Sequence, residues 1–136
     1  MSARQLVPAV LLCLLAGLAP AQQNLKTIAI LDFELIDDPG TAGEAERQRL
    51  QKISDQLRRE FAEKGVYKVV DNVPAAELIQ KYRSAQALHA CNGCELDVAR
   101  KLGTGRVLTA WVQRVSDLIL NLNIEIKDVK TGDAIL

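Results

Sequence analysis

The sharpest chemical feature of this sequence is a pair of cysteines three residues apart, Cys91 and Cys94. The Asn-Gly between them favours a tight turn, which brings the two β-carbons within bridging range. A disulfide that holds a loop against the following helix is one reading. A redox-active pair is another, because Cys94 falls at a predicted helix amino terminus, where a thiolate is stabilised. Haem attachment is excluded, because Glu95 stands where that motif needs a histidine.

A metal site is a third reading of the same stretch. His89, Cys91 and Cys94 place three soft donors within six residues, which suits copper(I) or an incomplete zinc site. The sequence offers no obvious fourth protein ligand, and oxidised cysteines cannot coordinate a metal. We therefore predict neither a bound metal nor a cofactor, and we keep these three residues as the candidates if one binds.

Four carboxylates form a second candidate site near the beginning of the chain: Asp32, Glu34, Asp37 and Asp38. They follow a predicted buried strand, and open α/β sheets often bind ligands at the carboxyl ends of their strands. Carboxylate oxygens suit a hard cation, so this segment is a possible ligand loop. The alternative is an acidic loop that is simply solvated.

The first 21 residues decide where this chemistry takes place. Arg4 precedes an apolar run, residues 6–18, and Ala19-Pro20-Ala21 has small residues at the positions that a signal peptidase recognises. We predict cleavage after Ala21 and a freely secreted, periplasmic protein with no stable membrane insertion. In an oxidising compartment the remaining pair of cysteines is most simply a disulfide.

The composition describes an ordinary globular domain. The 136 residues include 17 basic and 17 acidic side chains, and 49% are hydrophobic with few aromatics. This balance gives no electrostatic reason to expect nucleic acid as a partner. Residues 22–136 are long enough for one domain and too short for two.

The first half of that domain predicts a β-α-β unit with parallel strands. The apolar run of residues 26–33 predicts a central strand covered on both faces, and residues 34–43 predict a loop. A helix follows and ends at Gly65, with a stripe of apolar side chains at spacings of three and four. The stripe consists of Leu50, Ile53, Leu57 and Phe61. Residues 66–70 predict the second strand.

The second half predicts two helices and then an antiparallel hairpin. The helices cover residues 74–83 and 94–102, and the strands cover residues 106–115 and 118–127. Strict alternation in the last strand predicts one buried face, which includes Leu122, and one solvated face, which includes Asn123. Residues 134–136 begin another strand that stops at once, so we expect a chain truncated at its carboxyl end.

The order β-α-β-α-α-β-β-β resembles a family of cell-envelope proteins. Ile28-Ala-Ile-Leu-Asp-Phe33, Tyr67-Lys-Val-Val-Asp71, Ala99-Arg-Lys-Leu-Gly103 and Asp128-Val-Lys-Thr-Gly-Asp-Ala134 are similar to segments of the amino-terminal domain of the translocation protein TolB and of the curli-secretion lipoprotein. Uncharacterised proteobacterial secreted proteins related to them resemble the chain most, including the Cys-x-x-Cys. The resemblance implies a mixed α/β fold used as a docking module, with no catalytic residues to carry over.

Two functions follow from these observations. The first is a non-enzymatic periplasmic accessory module that binds another envelope protein, since no nucleophile, base and acid occur together in a recognisable pattern. The alternative is a small periplasmic thiol-disulfide or metal-handling protein built around Cys91 and Cys94.

Overall fold

The computed structural model describes residues 24–36, 43–116 and 118–136, and the predicted signal peptide lies outside them. Within them the protein is a mixed α/β fold, as the sequence predicted. The elements are β1 (Thr27–Ile30), β2 (Glu34–Ile36), α1 (Glu44–Glu63), β3 (Lys68–Val70), α2 (Ala76–Arg83), α3 (Cys94–Leu102), β4 (Arg106–Ser116) and β5 (Ile119–Asp128). Among the described residues, no helix has both the length and the apolar content that crossing a membrane requires.

The five strands form one sheet built around β4. β5 pairs antiparallel with β4 along its whole length, as the predicted hairpin requires. β1 and β2 pair parallel with β4, so they share its other edge. β3 is parallel to β1, which confirms the predicted β-α-β unit. After β5 the chain turns back, and Ala134 bridges Lys127 in antiparallel fashion, as the predicted start of a further strand requires.

The prediction that residues 34–43 form only a loop was wrong. Glu34 to Ile36 form β2, opposite Trp111 to Gln113 of β4. Ile28 pairs with Arg106 and Glu34 with Trp111, so the β1–β2 segment has one more residue than the β4 segment opposite it. Such an extra residue is a bulge, which bends a strand without ending its path along the partner. The charged residues after Phe33 concealed this continuation.

The core has one part on each face of the sheet. Ile28 and Ile30 lie in the part that α1 covers, whereas Ala29 and Leu31 lie in the part that α2 and α3 cover. All four side chains are fully buried. This arrangement confirms the prediction of a central strand covered on both faces.

The buried stripe of α1 differs from the prediction at one position. Leu50, Leu57 and Phe61 pack against the core, but Ile53 is 42% exposed. The neighbouring Ser54 is completely buried instead. Its hydroxyl accepts a hydrogen bond from the Phe33 amide at 2.9 Å and donates one to the Leu50 carbonyl at 2.7 Å. A polar side chain can take this position because both of its hydrogen bonds are made inside the core.

The burial predicted for β5 was also wrong over most of the strand. The alternation itself is present, since Leu122 pairs with Val112 and Ile126 pairs with Leu108 on one face. Ile126 is 4% exposed, but Leu122 is 61% exposed. The helix α1 covers only part of this face, so the far end of the β4–β5 hairpin extends beyond the layer that would bury it.

Candidate functional site

The first carboxylate of the predicted ligand loop, Asp32, is bound by two arginines. It lies directly after β1, where the Arg58 guanidinium donates to its Oδ1. Arg83, at the end of α2, donates to the Asp32 carbonyl at 3.0 Å and has its Nη1 3.5 Å from Oδ2. Arg58 also donates to the Ile30 carbonyl through Nε at 3.1 Å and Nη2 at 2.9 Å. These bonds fix both helices to the carboxyl end of the sheet.

Glu34 is bound just as completely. Its carboxylate accepts hydrogen bonds from the Leu88 amide at 2.9 Å and the His89 amide at 3.2 Å, and the His89 Nδ1 lies 2.8 Å from its Oε2. The His89 ring stacks on Trp111, with centroids 4.6 Å apart. Glu34 therefore holds the 88–90 turn against the sheet.

The structure thus brings Asp32 and Glu34 to one edge, while Asp37 and Asp38 lie outside the described residues. Each described carboxylate already has cationic or amide partners. Within the described part of the chain, no three His, Cys, Asp or Glu side chains are grouped so that they could hold a metal ion. The observed contacts explain this acidic edge as the place where loops and helices are joined to the sheet.

A crevice of about 500 Å³ opens beside Asp32, between α1 and α2. At this point the chain leaves β1 towards the helix on one face of the sheet, and it leaves β3 towards the helix on the other face. Open α/β sheets bind ligands at such a point. Its polar lining consists of Asp32, Gln51, Asp55, Arg58, Asp71 and Asn72. Among the described residues that line it there is no serine, cysteine or histidine.

The two cysteines lie on the opposite face from α1, where Cys91 follows the 88–90 turn and Cys94 begins α3. Their Cα atoms are 5.5 Å apart, within the range for a disulfide. Cys91 is 4% exposed and Cys94 is 8% exposed, and the Gln86 amide nitrogen lies 2.9 Å from the Cys91 sulfur. The tight turn between them uses Gly93, whose φ of +100° is easily adopted only by glycine.

His89, the third candidate metal ligand, instead faces Glu34 and Trp111.

A second depression lies between α1 and the hairpin, and we call it the hairpin groove. It has a volume of about 190 Å³. Its walls are apolar and its rim is charged; the apolar residues are Leu35, Leu50, Ile53, Val112 and Leu120, and the charged ones are Glu46, Arg49 and Arg114. Ile53 is 42% and Leu120 is 62% exposed.

Sequence reasoning missed this surface, because the alternating pattern of β5 does not show how far the covering helix reaches. One feature of the sequence does indicate this surface, namely the row of apolar residues in β5 that continues to Leu118 at the tip of the hairpin.

A model of a known family matches residues 26–136. The chain belongs to the DUF3280 family, described as "Protein of unknown function (DUF2380)". No curated protein matches this member of the DUF3280 family.

Solved structures share its fold. The carboxyl-terminal domain of LpoB from Salmonella enterica superposes with a TM-score of 0.61 at 16% identity, over 87% of this chain and 82% of that one. The same domain from Escherichia coli gives 0.58 at 15% identity, over 82% and 77%. Lipoprotein GNA1162 from Neisseria meningitidis gives 0.53 at 14% identity, over 82% and 77%. At such identities the likeness establishes the fold of this DUF3280 family member.

Proposed function

We propose that this protein is a non-enzymatic accessory module of the cell envelope that docks another protein. Its fold is that of the LpoB carboxyl-terminal domain and of a neisserial lipoprotein, which supports an envelope setting. The same proposal includes a periplasmic location after removal of residues 1–21. It also includes kinship with TolB and the curli-secretion lipoprotein.

The hairpin groove is the observation that carries the docking function. A groove with half-buried and exposed apolar side chains and a charged rim has the composition of a protein-binding surface. The groove is small, so the partner that fits it presents an apolar side chain surrounded by polar contacts. By contrast, the carboxylates at the carboxyl edge of the sheet are occupied by the protein's own groups.

Site-specific photo-crosslinking in the native envelope tests this proposal. A photoreactive residue at Ile53 should give a discrete adduct with one envelope protein, and Leu120→Asp should abolish it. The matched control is Val73, which is 71% exposed and lies at the start of a turn outside the groove. A lack of adduct from Ile53, or the same adducts from Val73, would show that the groove does not bind a partner.

For the cysteines, we propose a structural disulfide between Cys91 and Cys94. Reactive cysteines are usually partly exposed, whereas both of these are nearly inaccessible. Thiol titration of the native protein should find no free thiol, and the double change to Ser should leave the Ile53 adduct intact. A reduction potential well above about −300 mV, together with loss of the adduct in the Ser variant, would instead support the thiol-disulfide alternative.

A further inference from the structure

A depression lies at the end of the sheet where β1 and β4 begin and β5 ends, and we call it the basic depression. Its volume is about 580 Å³. Four of the side chains that line it are basic and one is acidic; the basic ones are Lys26, Arg100, Arg106 and Lys130, and the acidic one is Asp128. The whole chain has 17 basic and 17 acidic residues, so this excess of positive charge is local.

The sheet brings three of these cations together from distant parts of the chain. Lys26 precedes β1, Arg106 is the first residue of β4, and Lys130 follows β5. Arg106 lies opposite Ile28 of β1 on one side and opposite Asp128 of β5 on the other. The three cations therefore lie at the same end of three adjacent strands.

Asp128 does not balance this charge, because its carboxylate is already bound. Its Oδ1 accepts hydrogen bonds from the Lys130 amide at 2.8 Å and the Thr131 amide at 3.2 Å. Its Oδ2 accepts from the Arg106 guanidinium. The negative charge of Asp128 is thus taken up by one guanidinium and by two backbone amides.

The unbalanced charge belongs to Lys26 and Lys130. Both side chains are exposed, and among the residues that the structure describes no carboxylate forms an ion pair with either. Arg100, by contrast, is paired with Asp97 at 2.9 Å. Like charges that gather without a counter-charge destabilise the folded state, so an added anion would stabilise this end of the sheet.

Arg106 still has donors for such an anion. Its Nη1 donates to the Gly105 carbonyl at 2.9 Å and to Asp128. Its Nε is buried without a hydrogen-bond partner, and no described group accepts a hydrogen bond from its Nη2. Nε and Nη2 form one edge of the guanidinium, and such an edge matches two oxygens of a phosphate. A buried donor without an acceptor costs free energy, which an oxygen at this edge would offset.

We infer that the basic depression binds the phosphate group of a phosphate monoester. The free edge of Arg106 donates to its oxygens, and the ammonium groups of Lys26 and Lys130 balance its charge. A monoester carries three acceptor oxygens and a charge of about −1.5 to −2 at pH 7, which suits three cations better than a single carboxylate does.

This site is separate from the hairpin groove. Arg114, on the rim of the groove, lies eight positions along β4 from Arg106, which corresponds to about 26 Å at about 3.3 Å per residue. A phosphate ester and a docked partner can therefore be bound at the same time. The inference does not depend on the proposed docking function.

Amide NMR spectra recorded during a titration with sn-glycerol 3-phosphate measure this binding. The signals of Gly105, Arg106 and Lys130 should move with one dissociation constant, and glycerol without phosphate should leave them in place. Lys26→Gln combined with Lys130→Gln should raise that dissociation constant at least about tenfold. The matched control is Lys52→Gln combined with Lys81→Gln, which removes the same charge from two exposed lysines outside the depression.

Arg106→Lys tests the guanidinium edge. It keeps a positive charge beside Asp128 but removes the paired N–H groups, so it should also raise the dissociation constant several-fold. Circular dichroism of each variant confirms that the fold is retained.

Vesicles distinguish a lipid headgroup from a soluble ester. Phosphatidylcholine vesicles that contain phosphatidic acid present the same monoester on a membrane surface, and co-sedimentation measures binding to them. Binding to these vesicles that exceeds binding to glycerol 3-phosphate, and that the Lys26 and Lys130 double variant loses, would assign the site to a headgroup. Binding to the soluble ester alone would assign it to a free phosphate ester. Failure of both probes to bind, or equal losses in the two double variants, would overturn the inference.

Discussion

The burial difference along β5 gives a prediction that separates the sequence pattern from the structure. Leu122 and Ile126 lie on the same face of the strand, four residues apart, and periodicity alone assigns them the same environment. In the structure Ile126 is 4% exposed and packs in the core against Leu108, whereas Leu122 is 61% exposed. Truncating each to alanine should therefore have very different effects on the free energy of unfolding.

The magnitudes follow from the buried fractions. Ile126→Ala removes core methyl groups and leaves a cavity, which costs about 2 to 5 kcal/mol. Burying a whole leucine side chain stabilises by about 1.5 to 3 kcal/mol, and Leu122 has only about two-fifths of its surface buried. Leu122→Ala should consequently cost about 0.6 to 1.2 kcal/mol. Asn123→Ala, on the opposite face, is the control for the loss of a side chain from this strand.

Urea unfolding followed by the fluorescence of Trp111, the protein's one tryptophan, measures these differences. The comparison requires the same slope of free energy against urea for all variants, so that midpoints report stability alone. Equal costs for Leu122→Ala and Ile126→Ala would refute the view that α1 leaves the end of the hairpin uncovered.

Three further perturbations test other contacts. Lys127→Met should cost about 3 kcal/mol, because it leaves the fully buried Glu95 carboxylate without the ammonium that lies 2.8 Å away, and adding Glu95→Leu should restore much of that loss in a double-mutant cycle. The hydrogen bond from the Lys130 amide lowers the pKa of Asp128. The stability that the Asp128 carboxylate contributes is therefore complete above the ordinary aspartate pKa of about 3.9, and it is lost as the pH falls through the lowered pKa. Asp128→Asn should thus flatten the acid limb of a stability–pH curve. Mass spectrometry of protein recovered from the periplasm should find a chain that begins at Gln22, and an intact Met1 terminus there would contradict the predicted cleavage.

The fold could be predicted because it depends on local periodicity and on chain direction. The apolar run after Lys26 and the helix that follows fixed the parallel pairing of β1 with β3, and the alternation in β5 fixed the hairpin. The sequence could not show how far one layer overlaps another. Whether Ile53 or Ser54 faces the core depends on a small rotation of α1, and Ser54 is accommodated by the Phe33 amide, which is distant in sequence.

The candidate site shows the same limit from the chemical side. Asp32 follows β1 and Glu34 begins β2, and the partners of both carboxylates come from residues about 26 to 55 positions away. Nothing local in the sequence indicates that Arg58, Arg83 and His89 converge on them. A cluster of charges therefore indicates chemistry only after its long-range partners are known.

The hairpin groove follows from one geometric feature, the extension of β4 and β5 beyond α1. Had α1 covered the whole hairpin, Leu120 and Leu122 would be core residues and the groove would be closed. Because the helix stops short, Leu120 lines the groove and Leu122 stays exposed on the same face of the hairpin. The charged edge at the carboxyl ends of the strands differs from the hairpin, because its carboxylates are bound by arginines and a histidine of the same chain. The hairpin is therefore the surface through which we propose that this module docks its partner, while the charged edge holds helices and turns to the sheet.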